Sequence, residues 1–433
     1  MASVAVTTLL EELSLTIARQ REVLRQLETQ KSTVQSNLNA ILDPMSRLPL
    51  EISSDIMLSC LPTILHPDPH VAPMIFLGIC HSWSNIAVST PALWSDIRIN
   101  SDSTISQDHL NLIHCWVARA RTRPLSLSLH GISTPGLCAL AAGYGHQLQK
   151  LDLYFPSGEE LRNVTGSSFP TLDTLTIGQG YREDSDDDDD TFYSPHAIEC
   201  IEMLSTAPLL VEFVLDGIYF NQQVQEGPRS LLTHSNLRRL RLGGYPSWGI
   251  RASGAYILPY LTLPSLERLW ISDCNISFDD LFVFLSRSSA PLQSLAISFP
   301  YYFDTTIPPT TIERFLPLIP SVNDLDMSFN GGVSRDFVLS LAVAAVGSRA
   351  VPNLTNLTIR GSHVECSHYD LLLGALSTGH ASRSLLQSFK LVWYGDFARD
   401  RDSEPGPDII AGMQKLVADG MKIYIGPHTR NLI

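Results

Sequence analysis

Cysteine, histidine and the acidic residues are the side chains that could support nucleophilic, acid–base or metal chemistry. Their densest clustering with aromatic residues is ICHSWSNIAVSTPALW, Ile79 to Trp94. Cys80 beside His81 offers a thiol next to a base, but adjacent residues on a helix project about 100° apart and cannot form a nucleophile–base hydrogen bond. The pair also lacks a second pair of ligands at zinc-finger spacing. A core cysteine and a surface histidine are expected. The seven cysteines (Cys60, Cys80, Cys115, Cys138, Cys200, Cys274 and Cys366) are scattered without a CxxC pair, which predicts reduced, mostly buried thiols in place of a disulfide framework. His146, His234 and His380 fall in turns without a pattern. GxSxG and HExxH are missing, and Gly178-Gln179-Gly180 runs into Arg182-Glu183 without opening a helix, so it fails as a dinucleotide fingerprint. No catalytic constellation, cofactor or metal is expected, and the chain reads as a non-enzyme.

Charge leads to the same place. The formal net charge is −14, which disfavours nucleic acid or an acidic membrane surface as partner. Half of that excess sits in EDSDDDDD, where Glu183, Asp184 and Asp186 to Asp190 supply seven negative charges. The run has neither the alternating ligand spacing nor the glycine of a calcium loop, and a solvated, disordered acidic loop over residues 182–191 is expected. Binding chemistry is what remains, and it depends on the elements that present it.

Those elements begin with a repeat. The string apolar-x-x-apolar-x-apolar occurs as LQKLDL (148–153), LDTLTI (172–177), LVEFVL (210–215), LRRLRL (237–242), LERLWI (266–271), LQSLAI (292–297), VNDLDM (322–327), LTNLTI (354–359) and LQSFKL (386–391). The starts lie 24 to 38 residues apart, with helix-like stretches such as SFDDLFVFLSRS between them. Neither a strand nor a helix of such a unit buries its apolar face alone, so stacking is predicted, with a curved parallel sheet. The third and fifth positions of each string then face the concave side. Successive third positions read Lys150, Thr174, Glu212, Arg239, Arg268, Ser294, Asp324, Asn356 and Ser388, and the fifth read Asp152, Thr176, Val214, Arg241, Trp270, Ala296, Asp326, Thr358 and Lys390. Arg239, Arg241, Arg268 and Trp270 thereby come together on an acidic protein. They form a candidate site for an acidic or phosphorylated peptide, because guanidinium pairs with carboxylate and phosphate. The competing expectation is a solvated strand surface whose charges pair with Glu212 and Glu267.

The amino-terminal forty residues carry a different period. Positions 10, 13, 17, 20, 24, 27, 31, 34, 38 and 41 alternate steps of three and four, and all are apolar except Gln20 and Lys31. Such polar seam residues set register at some cost in stability. The spacing predicts a helix over residues 1–43 stopped by Asp43-Pro44. At 1.5 Å per residue it reaches about 60 Å. It predicts self-association or a partner helix, with folding back onto its own protein as the alternative.

Between helix and repeats, SRLPLEISSDIMLSCL aligns Ile52, Ile56 and Cys60 along one helical face, and a second helix is predicted to place Phe76, Ile79, Cys80, Trp83 and Ala87 on another. WSDIRI follows as a half-buried strand. MSRLPLEISSDIM followed by ICHSWSNIAVSTPALWSDI resembles an F-box. With the long helix before it and the repeats after it, the whole chain looks like the F-box families expanded in mushroom-forming fungi. The resemblance implies docking on the Skp adaptor of a cullin–RING ubiquitin ligase, with an unidentified protein substrate captured by the rest of the chain. Carried over by position, Leu48, Pro49, Ile52, Ile56, Ile79, Trp83, Leu93 and Trp94 would serve the adaptor-facing edge, some of them also forming the small domain's core.

The expectation is therefore an α/β chain (α+β overall): a long coiled-coil-like helix (1–43), a small helical F-box (44–100) and an irregular leucine-rich-repeat-like solenoid with a curved parallel sheet (101–433). No apolar run approaches the roughly eighteen residues of a membrane span, and MASVAVTTLLEELSL acquires acids where a signal peptide would stay apolar. A cytoplasmic or nuclear location without membrane partners is expected. The competing functional reading is an interaction scaffold without a ubiquitin role. A small-molecule sensor built on a solenoid pocket is a third.

Overall fold

The computed structural model of the protein describes residues 2–63, 67–101, 106–131, 135–154, 158–178, 197–217, 231–243, 254–272, 276–299, 309–329, 335–347, 351–361, 369–381, 385–394 and 405–433. The acidic run at 182–191 lies outside the described residues. The chain is mixed α/β and divides into two compact units: Met1–Ile99 with Gln107–Leu125, and Asn100–Ser106 with Ser126–Ile433.

The first unit opens with α1 (Ala2–Leu42). It stops where predicted, because Asp43 turns extended and its Oδ1 accepts the Met45 N–H at 2.9 Å to cap a short 3-10 turn, Pro44–Arg47. Then come α2 (Leu50–Ser59), α3 (Phe76–Ile79), α4 (His81–Ser89) and α5 (Gln107–Arg119). The single helix predicted through Phe76 and Ala87 is two, broken at Cys80 (φ −163°, ψ 170°). Gly78 weakens the end of α3, and the Cys80 carbonyl starts α4 by accepting the Ser84 N–H at 3.0 Å. Ile79 consequently leaves the predicted face and is exposed, whereas Phe76 is buried and still meets Trp83. The helix α5 falls within the sequence range assigned to the repeats, yet it belongs to this unit. Its Trp116 is fully buried edge-on against Trp94, ring centroids 5.1 Å apart.

The strands are β1 (Asp96–Ser101), β2 (Leu125–Gly131), β3 (Leu148–Tyr154), β4 (Thr174–Gly178), β5 (Glu212–Asp216), β6 (Leu232–Thr233), β7 (Arg239–Gly243), β8 (Leu261–Thr262), β9 (Arg268–Ser272), β10 (Ser294–Phe299), β11 (Asp324–Phe329), β12 (Asn356–Gly361), β13 (Ser388–Trp393) and β14 (Lys422–Pro427). Twelve belong to one large sheet, and β6 pairs with β8 in a two-stranded parallel ladder. In the second unit the large sheet runs β2-β3-β4-β5-β7-β9-β10-β11-β12-β13-β14, parallel from β3 onward, so sequential strands are spatial neighbours. Helices α6 (Pro135–Gly143), α7 (Gly158–Thr165), α8 (Ala197–Thr206), α9 (Phe278–Ser288), α10 (Pro309–Phe315), α11 (Arg335–Gly347), α12 (Tyr369–Ala381) and α13 (Pro407–Ala418) return the chain between strands.

Every first, fourth and sixth position of the nine strings is buried, which is what converts a weak sequence pattern into a core. The rungs are in register, string on string: Leu240 opposite Leu269, Leu269 opposite Leu295, Leu325 opposite Leu357. The ladder extends one residue earlier through second-position amides, for example Glu267 N–H to the Arg238 carbonyl at 2.8 Å and Gln293 N–H to Glu267 at 2.8 Å. Before four of the strings a polar residue ties consecutive turns together. Thr171 Oγ1 donates to the Leu148 carbonyl (2.9 Å), Asn236 to Pro208 (2.8 Å), Ser321 to Leu292 (2.9 Å) and Asn353 to Pro320 (3.2 Å). A tenth rung, β14, escapes the string because Gly420, with φ +103°, occupies its first position. Truncation inside this ladder should be costly. Leu269→Ala is expected to remove about 3 kcal/mol of unfolding free energy, and Arg268→Ala on the other face of β9 less than about 1 kcal/mol, both read from urea midpoints.

Candidate functional site

In the first unit, buried polar contacts hold the helices around the PALW turn. Ser53 Oγ donates to the Met45 carbonyl at 3.1 Å, the Ser54 and Thr90 hydroxyls meet at 2.8 Å, and Trp94 Nε1 donates to the Ala87 carbonyl at 2.8 Å. The Arg119 guanidinium lies 4.6 Å over the Trp94 ring. Leu93 and Trp94 are fully buried. These two residues are therefore corrected from adaptor-facing positions to core, since an indole closed in by Trp116, Arg119 and a backbone carbonyl has no surface left for a partner. Trp83 is half-buried, tilted against Phe76 with centroids 5.8 Å apart.

The remaining members of the set stand outside. Leu48 is 40% exposed, Ile52 48%, Ile56 39% and Ile79 48%, and Pro49 is exposed as well. On α2 the buried side chains are Ser53 and Met57, one position round the helix from Ile52 and Ile56. The apolar row read from the sequence is thus the outer face of α2, and the residues that pack inward are a serine and a methionine. Leu50, Ile75 and Val88 add further exposed apolar side chains on the same short elements. Such density on a small helical unit marks a surface that gains by being covered.

In the second unit the four predicted concave residues do assemble. Arg239 lies opposite Arg268 and Arg241 opposite Trp270 on adjacent strands. Their roles differ. Arg239 is engaged, its Nε 3.0 Å from Glu212 Oε2, and Glu267 is occupied by Arg238 at 3.0 Å. Arg241 stacks its guanidinium 3.6 Å over the exposed Trp270 ring, and Arg268 is exposed. Among the described residues neither Arg241 nor Arg268 makes an ion pair. A stacked guanidinium keeps its in-plane N–H donors free, so β7 and β9 present one cation stacked on an aromatic ring and a second, exposed cation on the same face.

Two strands beyond β9, on β11, the charge reverses. Asp326 is paired with Arg360 at 2.9 Å. Burial pushes its carboxyl above the ordinary range, Arg360 opposes that shift and Asp324 reinforces it. A further polar group near the other end was not recognised from the sequence, because the alternation in PLSLSLH does not match the repeated string. Ser128 Oγ donates to the buried Asp152 at 2.7 Å, Lys150 Nζ lies 3.0 Å from the same carboxylate, and the His130 ring stacks on Tyr154 at 4.2 Å. Any Cβ at Gly178, opposite Tyr154, would enter the tyrosine ring. Serine, histidine and aspartate are all present, but the hydroxyl gives its hydrogen bond to the carboxylate and not to an imidazole, so no activated nucleophile results.

His234 is likewise structural: Nδ1 accepts the Leu237 N–H at 3.2 Å and the opposite nitrogen meets the Ala207 carbonyl at 2.9 Å. His146 is exposed, and the His380 side chain lies outside the described residues. The cysteines depart from expectation. Cys60 and Cys115 are exposed, Cys80 is half-buried with Sγ 3.7 Å from Asp43 Oδ2, and Cys200 alone of these four is buried. Among the described residues no group of three or more histidine, cysteine or acidic side chains is placed to hold a metal ion, and no helix is long and apolar enough to cross a membrane. Compared with known proteins, the chain matches no family model and no curated protein.

Burial, reinforced by neighbouring Glu199, pushes the Cys200 thiol far up. Alkylation of the native protein should therefore modify Cys60 and Cys115, and reach Cys200 only after denaturation, as peptide mass spectrometry would show. For Asp326 the native chain holds its proton more tightly than the unfolded chain, so the group costs stability as pH rises above its ordinary 3.8. Asp326→Asn is expected to gain stability relative to the parent between about pH 4 and pH 7, measured by urea midpoints across that range.

Proposed function

We propose that the chain is the substrate-recognition subunit of a Skp–cullin–F-box type ubiquitin ligase. The observation that carries this reading is the partition within the F-box-like segment. Leu93 and Trp94 form the core, while Leu48, Pro49, Ile52, Ile56 and Ile79 remain outside on α2, α3 and the turn before them. Aliphatic side chains in that position suit a hydrophobic interface centre with a polar rim. The chain supplies proximity, not chemistry: a bound protein is held near a ubiquitin-charged enzyme provided by other subunits.

The substrate-facing group is Arg241, Arg268 and Trp270, with Arg239 steadied by Glu212. The Arg241 guanidinium over an indole and the exposed Arg268 beside it, neither in an ion pair among the described residues, suit an acidic or phosphorylated peptide, the charges taking carboxylate or phosphate and the ring taking an apolar neighbour.

Ile52→Asp with Ile56→Asp in the full chain is expected to abolish co-purification of a Skp-type adaptor while leaving the thermal midpoint within about 2 °C, because both side chains are on the surface. Arg241→Glu with Arg268→Glu should retain the adaptor and lose bound protein in affinity purification under proteasome blockade. Failure of the intact, folded chain to bind the adaptor would leave the scaffold reading in its place.

A further inference from the structure

The helix α1 carries its apolar seam in the open. Leu13, Ile17, Leu24, Leu27, Val34 and Leu38 are all exposed, as are the two polar seam residues Gln20 and Lys31. A heptad seam left uncovered for about 40 Å of helix is a surface for another helix. The order of residues along it states which helix.

We propose that α1 pairs with α1 of a second copy of this chain as an antiparallel, unstaggered coiled coil, centred between Arg25 and Gln26. In an antiparallel pair each residue meets the partner's residue equally far on the other side of that centre. Leu24 then faces the partner's Leu27, Gln20 the partner's Lys31, Ile17 the partner's Val34 and Leu13 the partner's Leu38, each contact occurring twice by symmetry. Every apolar residue meets an apolar residue. The two polar interruptions fall in the same layers, where the Gln20 amide oxygen can accept from the Lys31 ammonium.

Flanking charges agree with this arrangement. Arg21 and Glu28 occupy equivalent positions beside the seam, and antiparallel pairing sets Arg21 near the partner's Glu28, again twice. Among the described residues neither makes an ion pair, because the helix's own pair, Glu22 with Arg25 at 2.8 Å, lies away from the seam. A parallel in-register pair would stack Lys31 on the partner's Lys31 and set Arg21 beside Thr16 and Glu28 beside Val23, with no opposite charges in contact. One heptad slip of the antiparallel pair in either direction would bury lysine and glutamine against leucine. Pairing of this kind is independent of what the F-box-like unit binds.

Sedimentation equilibrium of the full chain tests the pairing. A dimer is expected, and Leu24→Asp with Leu27→Asp should raise its dissociation constant by at least about a hundredfold. Arg21→Glu alone and Glu28→Arg alone should each weaken the dimer by about tenfold, and the double reversal should restore it to within about threefold. Orientation is read by oxidation: an equimolar mixture of Ile17→Cys and Val34→Cys chains should yield a 17–34 disulfide by peptide mapping. The Ile17→Cys chain alone should give no 17–17 bond. A monomer at about 50 µM, a 17–17 cross-link, or absence of rescue by the double reversal would each overturn the proposal.

Discussion

The in-register parallel ladder is the constraint on which the second unit depends. Once Leu240, Leu269, Leu295 and Leu325 are stacked rung on rung, the pleat obliges the residues on either side of each to form columns on the opposite face. No separate interaction is needed to bring Arg241 over Trp270. Their meeting is a consequence of burying the leucines between them, and the same logic places Asp326 beside Thr358 and Lys390 beside Tyr424. A slip of one residue would send the apolar set to solvent and the charges into the core. The side-chain bonds from Thr171, Asn236, Ser321 and Asn353 to preceding turns guard against it by fixing where each strand begins.

Trp94 plays the corresponding part in the first unit. Its indole N–H bonds to the Ala87 carbonyl, its edge meets Trp116 and its face carries Arg119, so it joins the PALW turn to α4 and α5. A small helical unit has little core to spend. The two tryptophans, Leu93, Met57, Ile97, Ile113 and Val117 fill the core, and Ile52, Ile56 and Ile79 remain outside it. Exposure of those side chains and burial of Trp94 are two sides of one arrangement.

Legibility varied with how local the cause was. The repeat was plain because a period-two strand with three apolar positions recurs nine times, and the third- and fifth-position residues do align across adjacent strands, although Asp152, Thr176, Thr358 and Ser388 among them are buried. The break at Cys80 was not legible, since Phe76, Ile79, Cys80, Trp83 and Ala87 do fit a continuous helix, and only the extended backbone at Cys80 separates them. The association of α5 with the first unit depends on Trp116 finding Trp94, a contact 22 residues distant in sequence that no periodicity announces. Strand β14 was missed because a glycine took an apolar position, and the Ser128, Lys150 and Asp152 group because β2 lacks the string.

The sequence by itself determined the long helix and its stop at Asp43, the α/β character, the strand register and the clustering of Arg239, Arg241, Arg268 and Trp270, because each follows from a period matched to backbone geometry. Only the tertiary structure decided which of those residues are free. Arg239 and Arg241 carry the same side chain two positions apart, yet one is claimed by Glu212 and the other rests on an indole. Residue type likewise does not separate Trp94 from Ile52. Burial and pairing depend on neighbours brought from elsewhere in the chain, and composition and spacing do not contain them.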